Sequence, residues 1–372
     1  MTKSSATYAR RIPVAGTAFV CGVLAGYYLA APARAQRVAA QPVSPVASPA
    51  PPAAPSLTAK TPEPCRVGVY VTALSDLNLV TKSFHVDFWA WGVSPKLDKP
   101  LTTLEILNAQ KTDTLYDSSV QVADKARRFG TNGTVFYSQR KYLSTVRYDW
   151  NETNYPFDRH VLRVEMEDAL NDASSVAFQP DTANTRLDKS INPDGWKIMD
   201  MRLSAHDNIY DTTFGDPRLA DGKSTFSHLT LALTIERTSR ASFWVLTLGV
   251  YAAFLLSLIT FYYDPDQAGK MGGRFGILSG ALFAAIVSLR GTDAIIGHTE
   301  GLTLIAKIHL ATILYILLGG VATIISHNVA QRGGEGGAKR ALRLDRRVFL
   351  PALLVSYVAV IAAMAWYAAS VG

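Results

Sequence analysis

Two hydrophobic patterns divide the chain. Between about residues 66 and 237 apolar positions recur every second residue. Phe84, Val86, Phe88 and Ala90 share one face; Leu162, Val164 and Met166 alternate with Arg163, Glu165 and Glu167; Leu229, Leu231, Leu233 and Ile235 alternate with Thr230, Ala232, Thr234 and Glu236. Alternation over this length predicts strands with one buried and one wet face. Turn clusters separate them at Gly92–Pro95, Gly130–Gly133, Asn192–Gly195 and Gly215–Pro217. The pattern predicts an all-β sandwich over residues 66–237.

From residue 238 to 372 the alternation gives way to long apolar runs, at about 242–263, 275–295, 302–326 and 348–371. Each is long enough to cross a hydrocarbon core of ~30 Å, so this half is expected to be a four-helix transmembrane bundle. The connection at 328–347 carries Arg332, Lys339, Arg340, Arg343, Arg346 and Arg347 against Glu335 and Asp345. Such an excess predicts a cytoplasmic loop and, counting back, an external strand domain. The second span is distinctive, because Gly272, Gly273, Gly276, Gly280, Ala281, Ala284, Ala285 and Ser288 leave it with small faces. Close helix packing and a wall facing water both suit such residues.

The N-terminus agrees with export. Lys3, Arg10 and Arg11 precede the apolar stretch Ile12–Ala31 and the small residues Ala33 and Ala35, which predicts a signal peptide over residues 1–35, with an uncleaved anchor as the alternative. Residues 36–65 are rich in Ala, Pro and Ser and are expected to be a linker. The net charge of +7 comes from scattered Lys and Arg apart from the 328–347 cluster, which topology explains, so nucleic acid is not an expected partner. After cleavage only Cys65 would remain, which excludes an internal disulfide. With no Cys/His metal spacing and no nucleophile–base constellation, the sequence points to no cofactor, no metal and no enzyme.

Ahead of the strand around Val164 stands Tyr155-Pro156-Phe157-Asp158-Arg159-His160. With the order of strand domain, three close spans, basic connection and fourth span, this run resembles the pentameric ligand-gated (Cys-loop receptor-like) ion channels of bacterial type. Further landmarks in the same order are Thr134–Arg147, Gly195-Trp196, Phe214-Gly215-Asp216 and Glu236-Arg237, and the likeness covers about residues 66–370. No cysteines bracket Tyr155–Asp158, and the first span has Gly249 where a proline is often found. The resemblance implies a pentamer in a bacterial inner membrane, with the sandwich in the periplasm. It also implies that Tyr155, Pro156, Phe157 and Asp158 meet the membrane helices, with Asp158 paired to Arg237 to couple the two halves.

By the same resemblance the second span lines an axial pore. One face carries Arg274, Ala281, Ala285, Ser288 and Thr292; the other carries Ser279, Leu282, Ile286, Leu289 and Asp293. Counting back from Gly301-Leu302-Thr303 favours Ser279, Leu282, Ile286 and Asp293 as pore-lining, and a one-residue shift brings Phe283 and Val287 inward with Arg290 at the mouth. Lys270, Gly272, Gly273 and Arg274 stand where relatives that pass cations often carry a glutamate, a slight lean toward anions. An unknown small ligand is expected among Trp89, Trp91, Tyr137, Tyr210 and Phe214, whose rings suit cationic amines and equally suit packing. His85, His160, His206, His228 and Asp87 are candidates for proton sensing. The alternative function is a non-conducting periplasmic binding or assembly protein on the same fold.

Overall fold

The computed structural model describes residues 61–125, 133–217, 219, 222–265, 268–296 and 301–371. The expected signal peptide, most of the linker and three residues of the Gly130–Gly133 turn lie outside them.

The N-terminal part of the described chain is built from ten strands in two sheets. The first sheet runs in the order β4 (Ala109–Ala123), β5 (Thr134–Arg147), β2 (Ser83–Ser94), β1 (Glu63–Asn78), β7 (Val176–Pro180), with β8 (Arg186–Leu187) also on β1. The second runs β3 (Leu104–Ile106), β6 (Arg159–Asp168), β10 (Ser224–Arg237), β9 (Trp196–Tyr210). The sequence alternation explains their packing. Phe84, Val86, Phe88 and Ala90 on β2, Leu162, Val164 and Met166 on β6, and Leu229, Leu231, Leu233 and Ile235 on β10 are all fully buried in one core shared by both sheets. Each of the larger side chains among them contributes roughly 1.5–3 kcal/mol relative to exposure. β1 starts at Glu63, inside the stretch expected to be linker, because Glu63–Val67 pair in parallel with Val176–Pro180.

Arg237 ends β10 and the membrane part follows almost at once. It comprises α1 (Ala241–Leu258, continued as a 3-10 turn to Tyr262), α2 (Ala268–Ile296), α3 (Leu304–Arg332), the short α4 (Gly337–Leu344) and α5 (Leu350–Val371), the last two joined by a π turn over Asp345–Phe349. Four helical stretches are long and apolar enough to cross a membrane, which marks a multi-pass membrane protein. Two differ from the expected spans. α2 begins at Ala268, ahead of the expected start at 275, and takes in Lys270 and Arg274; α4 occupies part of the basic connection. α3 opens on Thr303, whose Oγ1 accepts from the Ala306 N–H at 3.1 Å and satisfies a free helix donor.

Candidate coupling joint and helix face

The sandwich meets the helices through the loop after β5. Asn151 caps a short 3-10 turn over Glu152–Asn154, and the chain then turns at Tyr155 and Pro156. Tyr155 is buried among membrane-helix residues, and Phe157 packs against the same cluster, its ring 5.5 Å from that of Phe243 on α1. The two rings thus bring a strand-domain loop into the apolar end of the bundle.

Asp158 follows and is 2% exposed. Its Oδ1 accepts from Arg237 Nε at 2.7 Å, and its Oδ2 accepts from His160 Nε2 at 2.7 Å. Burial alone would raise the Asp158 carboxyl, but the His160 hydrogen bond and the Arg237 guanidinium outweigh it and hold the group below the usual carboxylate range. An ionised carboxylate only accepts, so His160 Nε2 carries the proton. The Arg237 guanidinium lies over two rings, 4.5 Å from Tyr155 and 4.1 Å from Trp196. Asp158 and Arg237, expected from the sequence to meet, are therefore in direct contact.

His160 and Trp196 are members of this cluster that sequence reasoning did not place there. A signal existed for the histidine. It shares strand parity with Leu162, Val164 and Met166, so the alternation that buried those residues also buries His160.

α2 has two unlike faces. Arg274, Leu278, Ala281, Ala285 and Thr292 are buried against the bundle, the spacing of one helical stripe. This is the face read as Arg274, Ala281, Ala285, Ser288 and Thr292 in the sequence. Ser288 points toward α3, where its Oγ lies 3.0 Å from His309 Nε2, while His309 Nδ1 lies 2.8 Å from the Ile305 carbonyl. The opposite face is uncovered: Gly272, Gly276, Ser279, Gly280, Phe283, Val287 and Arg290 are exposed along it. Of the expected pore-lining set, Ser279 and Ile286 are exposed, Leu282 packs partly against the buried cluster, and Asp293 lies on the helix with its side chain outside the described residues. Phe283 at 70% and Val287 at 52% are more exposed than Ile286 at 43%.

At the other end of α2, Arg274 is turned into the bundle rather than toward the open face. Its Nη2 donates to Asp345 Oδ2 at 2.7 Å and to the Tyr263 carbonyl, and both charged side chains are wholly buried. Nearby, His327 Nδ1 donates to the Pro265 carbonyl at 2.8 Å. These bonds tie the end of α1, the start of α2, the end of α3 and the lead-in to α5 at one point.

The five expected ligand-contacting aromatics fall into two groups on different sheets. On β2 and β5, Trp89 packs edge-on to Tyr116 at 5.4 Å, Trp91 Nε1 donates to Asp181 at 3.2 Å, and Tyr137 stands opposite Val93. Gly68 is required beside Trp91, since a Cβ there would lie 2.2 Å from the indole. On β9 and its hairpin, Tyr210 and Phe214 are 5.3 Å apart and both face Phe226. The Tyr210 hydroxyl donates to Glu167, which also accepts from Asn208 and His228; burial and that carboxylate push the phenol up to about 12. Of the other histidines, His206 lies tilted against His228 with the ring centres 4.6 Å apart, and His85 sits 2.9 Å from Asp87. Among the described residues no group of three His, Cys, Asp or Glu converges to hold a metal.

Compared with known proteins, the chain matches no protein-family model and no curated sequence.

Proposed function

We propose that the chain is a subunit of a ligand- or proton-gated pentameric ion channel of a bacterial inner membrane, with its strand domain in the periplasm and α2 lining an axial pore. The observation that carries this reading is the uncovered face of α2. A membrane-length helix that presents Gly272, Gly276, Ser279, Gly280 and Arg290 outward is ill suited to lipid tails, whereas small and charged residues suit close neighbours or water. The exposed face of α5, with Val355, Val358, Trp366 and Tyr367, has the bulky apolar character that lipid favours.

The number five comes from the resemblance. The exposures favour the shifted register, with Phe283 and Val287 as apolar rings that gate by dewetting and Arg290 toward the outer mouth. Arg274, held in the bundle by Asp345, is not part of that lining. In an assembly, the Trp89–Trp91–Tyr137 group of one subunit would face the Tyr210–Phe214–Phe226 group of the next, making one aromatic site from two halves. The Tyr155–Asp158 loop and Arg237 would carry motion of the strand domain to the helices.

The deciding experiment is the mass of the detergent-solubilised complex, followed by current recording from the purified protein in planar bilayers over a range of pH and primary amines. A pentamer that opens under one of these conditions is expected. A monomer, or a pentamer that stays silent throughout, would overturn the reading.

A further inference from the structure

Asp158 is shared between two partners rather than owned by one. Arg237 takes Oδ1 and His160 takes Oδ2, both at 2.7 Å. The His160 side chain is 1% exposed and its ring is enclosed by Trp150 at 4.9 Å, Trp196 at 5.5 Å and Tyr148 at 5.8 Å. A second proton on that ring has no water to spread its charge into. It is felt by the groups at hand.

Those groups are few and named. From the loop just before β6 comes Asp158. From β10 comes Arg237, whose Nη2 is buried without an acceptor among the described residues. From the 3-10 turn comes Glu152, whose carboxyl is pushed up by burial and pulled down by His160 and Lys82. Lys82 also lies 3.5 Å from the exposed Asp149, and Tyr148 closes the remaining side. Arg159 and Glu236 pair with each other at 2.9 Å, both partly exposed.

We propose that His160 is a positioning residue that holds Asp158 toward Arg237 when its ring is neutral and competes with Arg237 for the same carboxylate when its ring is protonated, so that the joint responds to protons. With a neutral ring, Asp158 and Arg237 face each other as one anion and one cation in direct contact. Protonation adds a second cation beside Asp158, strengthens the His160 bond to Asp158 by charge, and weakens the hold on Arg237. This gives the strand domain a pH input at the point where it touches the helices. The transmission of that input to a pore rests on the channel reading; the proton response of the joint does not.

The test uses the full chain in detergent. Trp150 and Trp196 lie against the ring, and a protonated imidazole quenches indole emission. Acidifying from pH 8 to about pH 5 should lower wild-type tryptophan fluorescence in a step that His160→Gln removes, since glutamine keeps an N–H donor but cannot titrate. An identical step in both proteins overturns the proposal. If His160→Gln does not fold, the ring nitrogens of 15N-histidine-labelled wild type serve instead. A His160 signal that moves over this range together with the Arg237 Nε signal supports the proposal, and one that stays fixed overturns it. In bilayers, His160→Gln should lose the change of its current with acid. Absence of any wild-type current would count against the channel reading alone, because the fluorescence step still decides the role of His160.

Discussion

Arg274 and Asp345, 71 residues apart in the chain, form a 2.7 Å ion pair with both side chains wholly buried. The pair joins the start of α2 to the turn that leads into α5. Charges withdrawn from water recover that cost only while they stay paired, so removing one partner is far worse than replacing both.

Asp345→Ala should therefore strand Arg274 in the bundle and destabilise the solubilised protein by about 3–5 kcal/mol. The double replacement Arg274→Met with Asp345→Leu should recover most of that loss. Thermal unfolding of the four proteins in one detergent closes the cycle. Additive losses would mean that the pair does not act as a unit.

Accessibility along α2 separates the two registers of the proposed pore. Cysteines introduced at Phe283, Val287 or Gly276 should react with a charged thiol reagent, while Ala281→Cys and Ala285→Cys, buried against the bundle, should not. Reaction at Leu282 with protection at Phe283 would restore the register first favoured by the sequence count. Protection at every exposed position would mean that lipid covers this face.

How far the sequence could lead differs between the two halves. In the sandwich, polar and apolar residues alternate, so the phase of each strand is written in the side chains; the buried rows on β2, β6 and β10 are those read beforehand. In the membrane half both faces of a helix are apolar, one for the bundle and one for lipid or neighbours, so length is legible and phase is not. Arg274 shows the consequence. In the sequence it belongs to one of two competing faces, and only the packing of Leu278, Ala281 and Ala285 on the same stripe reveals that it points inward. The Asp158–Arg237 contact follows from the resemblance, whereas the third member, His160, stands out in the sequence only as a titratable residue. Its parity on β6 is the clue the sequence holds, and the aromatic cage around it is assembled from β9 and the loop between β5 and β6, which no local pattern connects.

The pH dependence of Cys65 has a definite sign. Burial, aided by the charges of Asp168 and Glu63, pushes its thiol from 9.0 up to about 12. The folded thiol thus keeps its proton where the unfolded one has lost it. Its contribution to stability is complete below pH 9, declines as pH rises above that value, and is lost by about pH 12. In a Cys21→Ser background, Ellman's reagent at pH 8 should leave the native protein unmodified and label it rapidly in denaturant. Raising the pH from 9 to 11 should lower the unfolding midpoint of the wild type more than that of Cys65→Ala. Rapid native labelling, or equal shifts, would contradict the burial.

Arg237 should not tolerate lysine. Its guanidinium donates through Nε to Asp158 and lies over both Tyr155 and Trp196, a planar arrangement that an ammonium cannot reproduce. Arg237→Lys keeps the positive charge but gives up the stacked plane, each desolvated contact being worth up to about 2 kcal/mol. Arg237→Ala leaves Asp158 buried with only His160 and should cost about 3–5 kcal/mol. Hydrogen exchange reads the difference locally. The amides of Phe157 and of the last residues of β10 should lose protection in Arg237→Lys and lose more in Arg237→Ala, with the core amides around Val164 and Leu231 unchanged in the lysine variant. Equal protection in the lysine variant and the wild type would mean that charge alone holds the joint and the two rings only fill space.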